Sequence, residues 1–261
     1  MDLLTLSPLL PQFSAPNVGA LMSTRAGGVS LPPFDSLNLR PEVGDDPLAV
    51  AENRRRLVVA AGVESVRLDQ VHGRELVVLD AALLQASRAG ALPQADASLS
   101  TMPGVACEVQ VADCLPVLLA HRGGRGVAAA HAGWRGLAAG IVEHTLAQLC
   151  AACAAPPQDI EVWLGACIGA SQFEVGADVL QAFGASAQQP GPRFVAAQAP
   201  GKWLAHLSGL ARDRLAAAGV TQVQGNDGSL AWCTVSNPSR FFSFRRERIS
   251  GRMSALVWLR A

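Results

Sequence analysis

Three residues of this chain carry side chains suited to a metal centre, and each stands where an apolar run ends. They are His72 in D-Q-V-H-G, Cys114 in V-Q-V-A-D-C-L-P-V and His131 in G-V-A-A-A-H-A-G-W-R-G. Two imidazoles and one thiolate are a ligand set used by catalytic zinc, with the fourth position left to water or substrate. The stretch from Val109 to Arg135 reads as two short apolar strands joined by the turn H-R-G-G-R-G, with a helix beginning just past His131. Such a hairpin draws Cys114 on the first strand toward His131 at the end of the second, and His72 marks another strand end upstream. The glycines around Trp134 and Arg135 suggest a backbone that something must approach closely. A metal-free reading is also open, with Cys114 as nucleophile and His131 as its base. The chain lacks the tight C-x-x-C or H-E-x-x-H spacing that makes a zinc assignment specific. A second candidate is the loop S-T-R-A-G-G-V-S, where Gly27 and Gly28 allow positive φ and close backbone approach, and Arg25 offers a guanidinium to an anion.

The elements that must position these residues follow from periodicity and punctuation. Residues 18–30 read as a strand entering that Gly-rich loop. Asp46-Pro47 is a helix start, with an acceptor at the N-cap and Pro at the first position. The helix runs to about Ala61, burying Val50, Leu57 and Val58 and leaving Arg54, Arg55 and Arg56 as its wet face; Gly62 ends it. V-R-L-D-Q-V-H-G and E-L-V-V-L-D read as strands flanking the His72-Gly73 turn, and residues 81–104 as a connection with at most a short helix. Ala106–Val111 and Leu115–Ala120 carry the central strands, and Pro116 predicts an edge or bulge beside Cys114. A helix is expected from Leu137 to about Ala154, a buried strand at E-V-W-L-G-A, a helix near Gly176–Phe183 and a loop over Gln188–Pro200. An amphipathic helix is expected over Lys202–Ala218, closed by Gly219, and an apolar strand at the end. Strands and helices mix irregularly, which gives one mixed α/β domain over 1–261 and no doubly wound dinucleotide fold.

Bulk composition narrows the function classes. The 261 residues are 50% apolar, and 21 basic side chains balance 21 acidic ones, so no electrostatic footprint for nucleic acid or a membrane surface exists. No apolar run reaches the roughly 18 to 20 residues of a membrane span. The start M-D-L-L-T-L-S-P-L-L lacks a positive leader and cleavage site, which sets the expectation of a cytoplasmic protein. Six cysteines fit reduced, mostly buried thiols better than a disulfide framework, Cys150 and Cys153 included.

Taken in order, S-T-R-A-G-G-V-S, S-L-N-L, V-G-D-D-P with A-E-N-R-R-R-L, Q-V-H-G, A-D-C-L-P-V, H-A-G-W-R-G-L, C-I-G with F-E-V-G, and F-F-S-F-R-R-E with G-R-M resemble the YfiH/YlmD-type laccase-domain family over about residues 18 to 260. One departure is Ala166 before C-I-G, where Pro is expected. The resemblance implies a compact unit of layered mixed sheets flanked by helices, similar to the catalytic domain of cytotoxic necrotising factor, with His72, Cys114 and His131 as metal ligands. It also implies purine nucleoside chemistry: phosphorolysis of adenosine, inosine, guanosine and methylthioadenosine, and hydrolytic deamination of adenosine, with zinc as cofactor. Relatives are described too as copper-dependent polyphenol oxidases and as editing hydrolases that remove Ser-bearing peptidoglycan precursors. The implied partners are small molecules, purine nucleosides and phosphate.

A multicopper laccase needs about ten histidines besides its cysteine. This chain has five: His72, His121, His131, His144 and His206. Conventional laccase chemistry is therefore excluded, although one copper at the His/Cys/His site would still allow weak oxidation. Nucleoside chemistry suits the residues better, since zinc at that site would activate water against C6 of adenine. A proton carrier is then needed, and Glu108, Asp113 and Glu174 lie near the motifs. Arg25 with Gly27 and Gly28 is the phosphate candidate, with Arg135 and Arg245 as alternates, and Trp134 or Phe244 can stack on the base.

Overall fold

The two strands before the hairpin turn, β5 (Val105–Val111) and β6 (Leu115–His121), are buried at every position yet belong to different sheets. Residues 112–114 make the crossing between them. This computed structural model describes residues 6–261; residues 1–5, part of the start read above for a leader, lie outside them. One sheet has four strands in the order β1-β13-β5-β2, with β1 (Val18–Met22), β13 (Met253–Leu259) and β5 antiparallel and β2 (Glu64–Val66) parallel to β5. The other has six in the order β12-β8-β6-β7-β4-β3. Its members are β3 (Leu76–Val78), β4 (Ala97–Ser100), β6, β7 (Val127–Ala132), β8 (Ile160–Leu164) and β12 (Gln222–Gly225). A small antiparallel sheet joins β9 (Glu174–Val175), β11 (Trp203–Ala205) and β10 (Phe194–Ala196).

Side-chain alternation along the central strands builds the layers. Leu118 and Ala120 of β6 and Val127 and Ala129 of β7 pack on Cys107, Val109, Met253 and Val257, filling the space between the two large sheets. Their neighbours Val117, Leu119, Ala128 and Ala130 face the other way, against α4 (Ile141–Cys153) and α6 (Leu207–Ala217). On the far side, Leu57 of α1 (Pro47–Ala61) packs on Leu21, Ala106, Leu256 and Trp258. The result is a mixed α/β fold in four layers, helix on sheet on sheet on helix. Strands covered on both faces read as continuous apolar runs, which is why β6 and β7 are legible in the sequence, whereas β5 carries the buried Glu108 and Gln110 on one face. Short helices α2 (Ala81–Arg88), α3 (Trp134–Ala138), α5 (Ala177–Ala182) and α7 (Phe244–Glu247) complete the set. No described helix is long and apolar enough to cross a membrane.

The first long helix forms as its caps dictate: Asp46 accepts from Leu48 N at 3.0 Å, and Gly62, at φ +68°, donates to Val58 O. Four expectations are corrected. The 81–104 segment holds β4, whose small residues pair with the alanines of β7 (Ala97 with Ala130, Leu99 with Ala128), so its burial comes from its neighbours and not from its own hydrophobicity. Residues 203–205 form β11 because Phe194–Ala196, inside the expected loop, pairs with them; the helix begins only at Leu207. Pro116 stands inside the sheet, opposite His131. Its carbonyl accepts from Gly165 N, just past the end of β8, and the Gly165 carbonyl that a ladder N–H would have met accepts from Asn226 Nδ2 at 2.9 Å instead. Arg54 does not belong to a wet face: it turns inward to the buried Glu108 at 3.2 Å.

Candidate metal centre and its cavity

Each of the three ligand candidates comes from a different element. His131 is the fifth residue of β7, Cys114 ends the crossing between the sheets, and His72 lies in the turn between β2 and β3. Their ligating atoms nevertheless lie within 4.8 Å of one another. Cys114 Sγ is 3.8 Å from His72 Nε2, and the two imidazole rings meet edge to face with centroids 4.8 Å apart. His131 is buried, Cys114 half-buried and His72 exposed, so the cluster opens to solvent on one side.

Asp96, just before β4 and fully buried, organises the cluster. One carboxylate oxygen bonds His131 Nδ1 at 2.8 Å. The two oxygens also accept from three successive amides, Val71 N at 3.1 Å, His72 N at 3.0 Å and Gly73 N at 2.6 Å. That nest of N–H groups holds His72 at φ +62°, a conformation a non-glycine residue adopts only when its surroundings enforce it. With Nδ1 committed to Asp96, His131 presents Nε2 to the cluster, the carboxylate–histidine arrangement that orients metal ligands. Gly133 completes the fit: a Cβ there would stand 2.9 Å from His72 Cδ2 and 3.0 Å from Cys114 Sγ. Burial opposes charging of the thiol, but the His131 charge and hydrogen bonds from both histidines outweigh it and hold Cys114 down at about 6. Burial likewise opposes a charged His131, yet the thiolate and Asp96 push it up to about 9. A ready thiolate and an oriented imidazole are the donors a divalent metal binds, so the residues fit a metal centre. Cys114–His131–Asp96 is also the order of a nucleophile, its base and the base's orienter.

The cluster forms the floor of a cavity of about 600 Å³. Arg40, Arg135, Arg245, Arg248 and Arg252 line it against only two carboxylates, Glu42 and Asp113. Trp134, with the Arg135 guanidinium 4.4 Å over its ring, and Phe244 supply aromatic faces. Arg135 and Arg245 are thus brought to the cluster as expected alternates. Arg25, Gly27 and Gly28 are not. Every arm of Arg25 serves the fold: Nε donates to Asp35 O, NH1 to Pro238 O and Glu247, and NH2 lies 3.2 Å from Asp35 Oδ2. Gly28 is fixed by packing, since a Cβ would collide with Ser36 O at 2.0 Å. Among the carboxylates, Glu108 is sealed away with Arg54, Ser65 and Ser254. Glu174 offers its backbone carbonyl to Arg245. Asp113 faces the cavity, but one oxygen accepts from Thr234 Oγ1 at 2.5 Å and the other from Arg245 N at 2.6 Å. It is a clamp that ties the 244–248 wall to the Cys114 strand. Asp96 left no local sign in the sequence, because its partners lie 23 to 35 residues away.

Comparison with known proteins identifies the family. Residues 19–260 match the model of the family described as multi-copper polyphenol oxidoreductase laccase. The chain belongs to this family. A purine nucleoside phosphorylase of Pseudomonas aeruginosa is 47% identical over 252 residues, spanning 96% of this chain and 98% of that protein. The purine nucleoside phosphorylase YfiH of Escherichia coli is 46% identical over 254 residues, with the same coverage. Among solved laccase-domain structures, a Neisseria meningitidis protein superposes with a TM-score of 0.84 at 42% identity, covering 97% of this chain and 99% of that one. YlmD of Geobacillus stearothermophilus gives 0.85 at 30% identity, covering 95% and 94%. The family description speaks of several coppers; the described residues of this member offer a single cluster of three ligating side chains.

Proposed function

We propose that this chain is a purine nucleoside phosphorylase acting on adenosine, inosine, guanosine and methylthioadenosine, with a zinc-dependent adenosine deaminase activity in the same cavity. The observation that carries the reading is a three-ligand cluster and five arginines sharing one cavity sized for a nucleoside. The relatives named purine nucleoside phosphorylase support the substrate class.

In phosphorolysis a phosphate oxygen bonds to C1′ of the ribose as the C1′–N9 bond breaks, and the electron pair leaves with the purine. Holding the anion and stacking the base in register are what the protein must supply. Arg135 and Arg245 stand where they can bind the substrate's polar edges, and Trp134 and Phe244 where a purine can stack. His72, Cys114 and His131 would hold the zinc, with Asp96 fixing the His131 tautomer. A cation held there supplies Lewis acidity, toward water for deamination or toward the departing purine. Arg25, Gly27 and Gly28 have no part in this chemistry.

The test is product analysis of adenosine incubated with and without phosphate. Adenine with ribose-1-phosphate should form only when phosphate is present, and inosine in both cases. A second reading is favoured by the Asp96–His131–Cys114 alignment: amide hydrolysis of a UDP-muramoyl-Ser precursor with Cys114 as nucleophile. No purine product, together with amide cleavage by chelator-treated protein, would replace the first reading with this one.

A further inference from the structure

The cavity's five arginines are not equivalent. Arg135 and Arg248 are exposed, and Arg245 leans on the carbonyls of Gln172 and Glu174. Arg40 and Arg252 lie deeper, on two backbones joined by one side chain. Asn38, fully buried, accepts from Arg40 N at 3.1 Å and from Arg252 N at 2.9 Å through the same Oδ1 atom. Its Nδ2 donates to Arg40 O at 3.0 Å and to Asp45, and Leu39 N donates to Arg252 O. The fold therefore uses a buried amide to fasten together the two backbones that bring these arginines to one cavity. Burial and the Arg40 charge both press Arg252 below the usual guanidinium range, while Cys114 and Asp113 act in the opposite sense, and Arg252 lines the same cavity as the His72, Cys114 and His131 cluster. Compensation within the chain is thin. Arg40 Nε has Glu42 at 3.4 Å, but Glu42 is exposed and shared with Arg67 at 3.2 Å. Arg252 donates through NH1 to two carbonyls, Ser250 O at 2.6 Å and Gly251 O at 3.1 Å, which fixes the guanidinium without neutralising it. Two guanidinium groups in one cavity wall with so little neutralising charge favour an anion there, and two planar forks suit a tetrahedral oxyanion.

Resting on the phosphorylase reading, we propose that Arg40 and Arg252 form the subsite for inorganic phosphate, beside the His72–Cys114–His131 cluster. The phosphate lies between the pair and the floor of the cavity, with its nucleophilic oxygen on the side where the ribose must enter. Arg25 then has no counterpart in phosphate binding, and Arg135 and Arg245 are left to the nucleoside.

The experiment is calorimetric titration of the full-length protein, as purified, with orthophosphate and separately with adenosine 5′-monophosphate, in the wild type, Arg40→Gln and Arg252→Gln. Arg40 is on a partly exposed loop, so its variant guards against a folding defect in Arg252→Gln. Wild type should bind orthophosphate, and each variant should bind it about 10- to 100-fold more weakly. The KM for phosphate in inosine phosphorolysis should rise with it, while the KM for inosine and the metal content stay at wild-type values. Wild-type phosphate affinity in both variants would overturn the assignment and leave the phosphorylase reading intact. Binding of the nucleotide without binding of orthophosphate would also overturn it, assigning the pair to a phosphoryl group carried by the substrate. Orthophosphate binding lost in the variants, in a protein that yields no ribose-1-phosphate, would keep the subsite and sink the phosphorylase.

Discussion

At the scale of single residues, the cluster depends as much on Asp96 as on its ligands. A carboxylate that bonds His131 Nδ1 and three amides around His72 controls two ligands at once, one through its ring and one through its backbone. Asp96→Asn keeps the size and some of the amide contacts but loses the charge that favours a donating Nδ1–H. Metal affinity measured by competition with a chelator should fall about 10- to 100-fold while the circular dichroism spectrum is unchanged. Wild-type affinity in that variant would make Asp96 a structural residue only. The meeting of the three side chains was legible because a Cys and two His at the ends of apolar runs have few purely structural uses together. Asp96 was not, since nothing within its own stretch, P-Q-A-D-A-S, marks it as a partner of residues 71–73 and 131. Arg25 shows the converse error. An Arg beside Gly-Gly looks like an anion loop, but its acceptors include Pro238 and Glu247, 213 and 222 residues distant, and only the closed fold brings them near.

Between elements, a buried ion pair joins α1 to the four-stranded sheet. Glu108 on β5 is fully buried and bound by Arg54 of α1 at 3.2 Å, by Ser254 Oγ at 2.6 Å and by Ser65. Burial alone would raise its carboxyl, but Arg54 and the two hydroxyls hold it down to about 2. A carboxylate with a depressed folded pKa gives stability that is fully present above its ordinary value and lost as the pH falls toward the folded one. Arg54→Met leaves the buried charge unpaired, so unfolding in urea at pH 7 should show a loss of about 3–5 kcal/mol. The deficit should shrink as the pH falls below 7, first as the variant's unpaired carboxyl, raised by burial, takes up its proton, and then between about pH 4.5 and 2 as the wild type loses its pairing. An equal deficit at pH 7 and at pH 3 would contradict the pairing. The charge pattern of α1 hid this contact, since three consecutive arginines resemble a solvated face. Only Arg55 behaves that way, exposed and paired with Glu52.

For the molecule as a whole, the layered arrangement explains why the site lies where it does. β5 and β6 belong to different sheets, so the chain must cross between them, and the crossing carries Asp113 and Cys114 to the ends of the central strands. There the 71–73 turn, the start of α3 and the 244–248 segment converge to enclose the cavity. Strand positions could be read from apolar residues, whereas the assignment of β5 and β6 to separate sheets could not, because both faces of each are covered and the sheet partners lie far away in the chain. The same holds for β4, whose burial is imposed by its neighbours. In the proposed function three distant side chains hold one cation that turnover requires. Metal analysis of purified wild type and Cys114→Ala, alongside nucleoside turnover by the same samples, tests this role most directly. Wild type should carry close to one divalent metal per chain, and the variant should lose both metal and purine product. Wild-type protein stripped of metal that still converts nucleoside at full rate would contradict it.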